Sequence, residues 1–130
     1  MRKYLYLTFL LAFPILLFAQ QKKSTLFIGN SYVAVNNLPQ TTALVALSIG
    51  DTLLVSSYTP GGYTLLQHSN DVNCLNAINS MPWDFVALQE QSQMPSFPQS
   101  QVEQAVFPAA RKLDSMIHLG TCIIQMDHTI

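Results

Sequence analysis

Ser31 is the residue whose position best suits chemistry. It stands in Phe27-Ile28-Gly29-Asn30-Ser31, directly after a short apolar run. A serine placed so projects from a tight turn at the carboxyl end of a strand. Backbone N–H groups opening the next segment could face the same point and hold an oxyanion formed beside the hydroxyl, which suits a nucleophile. On spacing alone, a turn or capping serine is the commoner occupant of such a position.

Two further stretches carry polar or glycine-rich chemistry: Pro60-Gly61-Gly62, a strong turn signal, and the loop from Gln89 to Gln99 with Pro95 and Pro98. Histidines occur at 68, 118 and 128. His68 reads as a packing or surface residue. His118 falls near the expected end of a helix, where its charge would suit the dipole. His128 follows Asp127. Neighbours on an extended segment point to opposite sides, so this pair cannot form the relay in which an acid orients an imidazole. His128 could still reach Ser31 from a loop at the carboxyl edge, and it stands as the candidate general base. Three scattered histidines without paired carboxylates give no metal site, and no cofactor motif is present.

The elements that would position these residues alternate regularly. Thr25–Ile28, Thr52–Ser56, Phe85–Leu88 and Thr121–Gln125 read as four strands. A helix follows Asn37, with Pro39 in its first turn and an apolar face of Ala43, Leu44, Ala46, Leu47 and Ile49. A second helix is expected from about Tyr63 through Ile78. The third carries a stripe of Val102, Ala105, Val106, Ala109, Ala110, Leu113, Met116 and Ile117, with a kink expected at Pro108 and a stop at Gly120. Strand–helix alternation of this kind predicts an α/β fold with a parallel sheet, its sites in the loops beyond the carboxyl ends of the strands. Core packing is expected of Trp83 and Phe107, while Phe97 is the better substrate-contact candidate.

The chain has 130 residues, enough for one ordinary domain. Arg2 and Lys3, the apolar run Tyr4 to Phe18, Ala19 and the polar Gln20-Gln21-Lys22-Lys23 form the pattern of a signal peptide over residues 1–19. The run is short for a bilayer span, which needs roughly 20 residues. The expected locale is therefore secreted or periplasmic, with no membrane attachment after cleavage. Six Lys and Arg against seven Asp and Glu leave a formal charge of −1, without the basic stripe that nucleic-acid binding requires. Cys74 and Cys122 could pair in an exported chain, but two buried thiols are the plainer reading.

Taken together, Ile28-Gly29-Asn30-Ser31-Tyr32 with Asn36-Asn37-Leu38-Pro39 resembles the first motif block of the SGNH (GDSL-like) hydrolase superfamily, in an Asn-for-Asp variant. Pro60-Gly61-Gly62-Tyr63 resembles the second block. Trp83-Asp84-Phe85-Val86-Ala87-Leu88-Gln89-Glu90-Gln91-Ser92 is similar to the third-block strand of a secreted bacterial branch of poorly defined function, and Phe97-Pro98 and Val106-Phe107-Pro108 fit that branch. The likeness covers about residues 25 to 126.

The resemblance implies a flavodoxin-like three-layer α/β sandwich with a parallel sheet, occupying residues 20–130. It implies a cofactor-free serine esterase acting on a small-molecule or glycan ester, with O-acetyl groups as the expected substrate. Ser31 would be the nucleophile. The N–H groups of Ser31 and of Gly61 or Gly62, with the amide of Gln91 or Gln93, would hold the oxyanion. Asn30, Gln89, Glu90 and Phe97 would line the substrate site. The family's Asp-x-x-His block is missing from this sequence, so the expectation is a domain incomplete at its C-terminus and inactive as it stands. The alternatives are a non-catalytic secreted carbohydrate-binding module and a truncated remnant. An incomplete sheet would also leave an edge strand open to self-association.

Overall fold

The computed structural model describes residues 21–126, with side chains through residue 120. The expected leader and His128 lie outside the described residues.

Three parallel strands form one sheet. They are β1 (Lys22–Ile28), β2 (Thr52–Tyr58) and β3 (Phe85–Leu88), in the order β2-β1-β3. β1 is central and buried from Ser24 to Ile28, which is why its sequence shows a continuous run rather than alternation. Ile28 lies in register with both Tyr58 and Leu88, so all three strands end at one level. The amino ends of β1 and β3 are pinned by Asp84. Its carboxylate accepts from the backbone N–H and hydroxyl of Ser24 and from Lys23 Nζ at 2.8–2.9 Å. Those donors hold its pKa down at about 2.

Helices cover both faces. After β1 come α1 (Ser31–Ala34) and α2 (Leu38–Ser48); after β2 come α3 (Leu65–His68) and α4 (Val72–Ile78); after β3 come a 3-10 turn at Met94–Ser96 and α5 (Gln99–Met126). Leu26 and Ile28 point to the face where Leu65, Cys74, Ile78, Ala109 and Leu113 close the core, with Trp83, Val86 and Leu88 at its margin. Lys23 and Thr25 alternate to the other face, in register with Leu53 and Phe85. There Ala46 of α2 lies with Leu53 and Phe85 around a small hollow. The arrangement is an α/β fold with helices on either side of a parallel sheet, as expected.

Several elements depart from the sequence reading. The second helix is two short ones. Ser69 Oγ and Asn70 Nδ2 both donate to the Leu66 carbonyl, and Asp71 caps α4 through the Asn73 N–H. These short polar side chains compete with the helical ladder and break it. The expected fourth strand is instead the last part of α5. A short apolar run reads alike as a strand or as a buried helical segment. Gly120 does not stop that helix. A Cβ there would lie 2.5 Å from Asn79 Oδ1, so the glycine permits close approach to the end of α4. Phe107 is 45 % exposed rather than packed in the core. It lies two residues, about 200° of helical turn, from the buried Ala109. The apolar face of α2 is also largely uncovered: Leu44, Leu47 and Ile49 are exposed.

Candidate functional site

Ser31 opens α1 at the carboxyl end of the central strand, and its side chain is exposed. It lines a hollow of about 250 Å³ with Tyr32, Val35 and Asn36. Among the described residues its hydroxyl has no hydrogen-bond partner. The turn that presents it is heavily fastened. Asn30 is the N-cap of α1 and is fully buried, 1 % exposed. Its Oδ1 accepts from the Tyr32 N–H, while its Nδ2 donates to the Tyr63 carbonyl at 2.9 Å. That second bond ties the two-glycine turn to the residue before Ser31.

In the two-glycine turn, the Tyr63 N–H reaches back to the Pro60 carbonyl at 3.4 Å, and Gly62 takes φ +73°. Glycine adopts that conformation without strain. A Cβ on Gly61 or Gly62 would meet nothing within 4 Å, so the turn lies open.

Gly29 is different. A Cβ there would lie 2.7 Å from both Gln89 Oε1 and Val33 Cγ2. The missing side chain makes room for Gln89, whose Oε1 accepts from the Asn30 N–H at 2.9 Å. Gln89 Nε2 in turn donates to the Glu90 carbonyl. Glu90 Oε1 accepts from the Leu65 and Gln91 N–H groups at 3.1 and 2.6 Å, fastening the start of α3. Asn30, Gln89 and Glu90, read from sequence as substrate contacts, therefore spend these polar atoms within the chain. Gln91 Oε1 accepts from the Gln93 N–H at 2.8 Å, which shapes the loop before the 3-10 turn. Gln93 is exposed, and Phe97, just after that turn, is 42 % exposed.

His68 was legible only as a packing or surface residue. It is fully buried, and its Nε2 lies 2.9 Å from the Gly29 carbonyl. Its ring meets Tyr58 edge-on, centroids 5.8 Å apart, and Tyr63 at 5.2 Å. Among the described residues its buried Nδ1 has no hydrogen-bond partner. Burial pushes the imidazole pKa below its ordinary 6.5, against the carbonyl of Gly29 and the more distant Asp71 and Glu90. The Gly29 carbonyl can only accept, so Nε2 carries a proton, and burial disfavours a second one on Nδ1.

Beside His68, the Tyr58 hydroxyl donates to Asp71 Oδ2 at 2.6 Å. That bond leads in pushing the phenol up to about 12 and in holding the Asp71 carboxyl below its usual range. No motif in the sequence signals this pair. His118 lies mid-helix on α5, exposed, 3.4 Å from Asp114. The helix runs on to Met126, so the expected dipole interaction, confined to a last turn, does not apply. Cys74 is a buried thiol with its pKa raised to about 11 by desolvation; its pairing with Cys122 lies outside the described side chains.

Among the described residues no group of three or more His, Cys, Asp or Glu could hold a metal ion, and no helix is long and apolar enough to cross a membrane. Comparison of the chain with protein-family models, with curated proteins and with solved structures returned no match.

Proposed function

We propose that the chain carries the nucleophile-bearing part of an SGNH-type serine ester hydrolase acting on small acyl esters, with O-acetyl groups of glycans as the substrate class. One observation carries the reading. An exposed serine hydroxyl with no partner among the described residues begins a helix at the carboxyl end of the central strand, and the buried Asn30 side chain beside it bonds the Tyr63 carbonyl that follows the two-glycine turn.

In this reading Ser31 Oγ attacks the ester carbonyl and forms the new C–O bond. The carbonyl oxygen takes up the negative charge. It is held by the N–H groups of Ser31 and of Gly61 or Gly62, and by the side-chain amide of Gln91 or Gln93. Each such donor supplies about 3 kcal/mol of barrier lowering. Collapse expels the alcohol, which takes a proton, and water then releases the acid. Among the described residues no imidazole is hydrogen-bonded to Ser31, so the reading takes its general base from outside them, with His128 as the sequence candidate.

The test is labelling by a serine-reactive fluorophosphonate, read by peptide mass, together with hydrolysis of p-nitrophenyl acetate. The expected result is adduct on Ser31, lost in Ser31→Ala. Hydrolysis by the wild type that falls at least tenfold in His128→Ala would place the base within the chain and overturn the expectation that it is inactive. Absence of adduct from Ser31 sinks the proposal; binding of an acetylated glycan without turnover would point to a carbohydrate-binding module instead.

A further inference from the structure

The peptide unit between Gly29 and Asn30 is held at both ends. Its carbonyl accepts from His68 Nε2 at 2.9 Å, and its N–H donates to Gln89 Oε1 at 2.9 Å. The two partners come from different segments, α3 and the loop after β3. A peptide group is planar, so fixing its oxygen and its nitrogen fixes the rotation of the whole plane. Ser31 is the next residue.

The state of the His68 ring shows that it is more than filler. Its buried Nδ1 has no hydrogen-bond partner among the described residues. An apolar side chain would pack the same space without burying an unpaired nitrogen. What the imidazole adds is the Nε2–H donor, aimed at one carbonyl. The rings of Tyr58 and Tyr63 fix its orientation. The missing Cβ of Gly29 completes the arrangement, because it lets Gln89 reach the neighbouring N–H.

We infer that His68 is a positioning residue: its ring and Gln89 clamp the Gly29–Asn30 peptide from opposite ends and so set the direction of Ser31. The role in catalysis rests on the esterase reading; the clamp itself does not. His68 acts through the peptide group and touches no substrate.

Replacement by two amides of different reach tests the clamp. Glutamine carries its amide nitrogen about as far from the backbone as Nε2, whereas asparagine reaches only to the level of Nδ1. Hydrogen exchange at the Asn30 amide and at Tyr32 and Val33 is measured by NMR in the full chain for wild type, His68→Gln, His68→Asn and His68→Leu. Exchange should stay within threefold of wild type in His68→Gln. It should rise at least tenfold in His68→Asn and His68→Leu, with the β1 amides unchanged. An Asn variant that fails to fold beside a Gln variant that folds has the same meaning. Equal exchange in the Gln and Asn variants, or equal failure of both to fold, overturns the clamp. Fluorophosphonate labelling of Ser31 in the same set separates the two ideas. Labelling that follows the exchange order supports a positioned nucleophile. Exchange in the expected order with no labelling even in wild type would leave the clamp standing and the esterase reading refuted.

Discussion

Gly29→Ala is the sharpest perturbation of the turn. The new Cβ would lie 2.7 Å from Gln89 Oε1, 2.7 Å from Val33 Cγ2 and 3.2 Å from Gln89 Cβ. Gly29 is outside the left-handed region of φ, so the cost is one of space and not of backbone strain. Val33 is buried and β-branched, with little freedom to turn aside. Overpacking at such a site costs about 1–3 kcal/mol. If Gln89 withdraws, the buried Asn30 N–H loses its acceptor, at about 1–3 kcal/mol more. A combined loss of roughly 2–6 kcal/mol is a large share of a small domain's stability of about 5–15 kcal/mol. At about 4–8 °C per kcal/mol this corresponds to a drop of roughly 8–48 °C in melting temperature. Val33→Ala relieves one of the two closest contacts. Its own cost should therefore shrink by about 1 kcal/mol in the Gly29→Ala background, a coupling of the size expected for touching residues. Urea denaturation of the four chains measures this. Additivity within about 0.3 kcal/mol, or a single mutant as stable as wild type, would refute the packing argument.

Three further outcomes follow from the same geometry. His68 binds a proton more readily unfolded than folded, so its contribution is complete above the ordinary value of 6.5 and declines as pH falls from there toward the lowered folded value; His68→Gln should flatten that acid limb of the stability curve. For Tyr58 the folded pKa is raised to about 12, so its bond to Asp71 contributes below pH 10 and is lost as pH rises through 12; in Asp71→Asn, tyrosinate absorbance should show this phenol ionising at lower pH than in wild type. The outer edge of β3 has no strand partner among the described residues and Phe85 is 58 % exposed, so sedimentation velocity should show concentration-dependent self-association, reduced in Phe85→Lys; one monomeric species at every concentration would count against it.

The strands were legible because their physics is local. Leu26-Phe27-Ile28 and Phe85-Val86-Ala87-Leu88 are short apolar runs next to turn residues, and the central strand β1 is buried on both faces. Asn37 was legible as the start of α2, though for a different reason. Its side chain makes no capping bond; the backbone takes φ +48°, a conformation asparagine tolerates. The α3–α4 break was less visible, because Ser69, Asn70 and Asp71 act through bonds to backbone two to four residues away. The fate of residues 121–125 was undecidable from periodicity: apolar runs of that length satisfy strand and buried helix equally.

The site divides along the same line. The place of Ser31 at the carboxyl end of β1 was legible because position relative to a strand can be read in sequence. His68 was not, because nothing local distinguishes an imidazole facing solvent from one bonded to a carbonyl thirty-nine residues away. The same holds for Gln89 and Glu90. Their types suggested a polar pocket wall, yet their geometry makes them struts to the Asn30 N–H and to the start of α3. A parallel sheet gathers its loops at one edge, where each must satisfy its backbone groups away from the ladder. Polar side chains of neighbouring loops are the nearest partners. Thus Gln89 and His68 hold the peptide before the serine, while Asn30 holds the turn after β2. A loop that presents one free hydroxyl to solvent needs its other groups engaged, and in this chain the residues doing so outnumber the one they present.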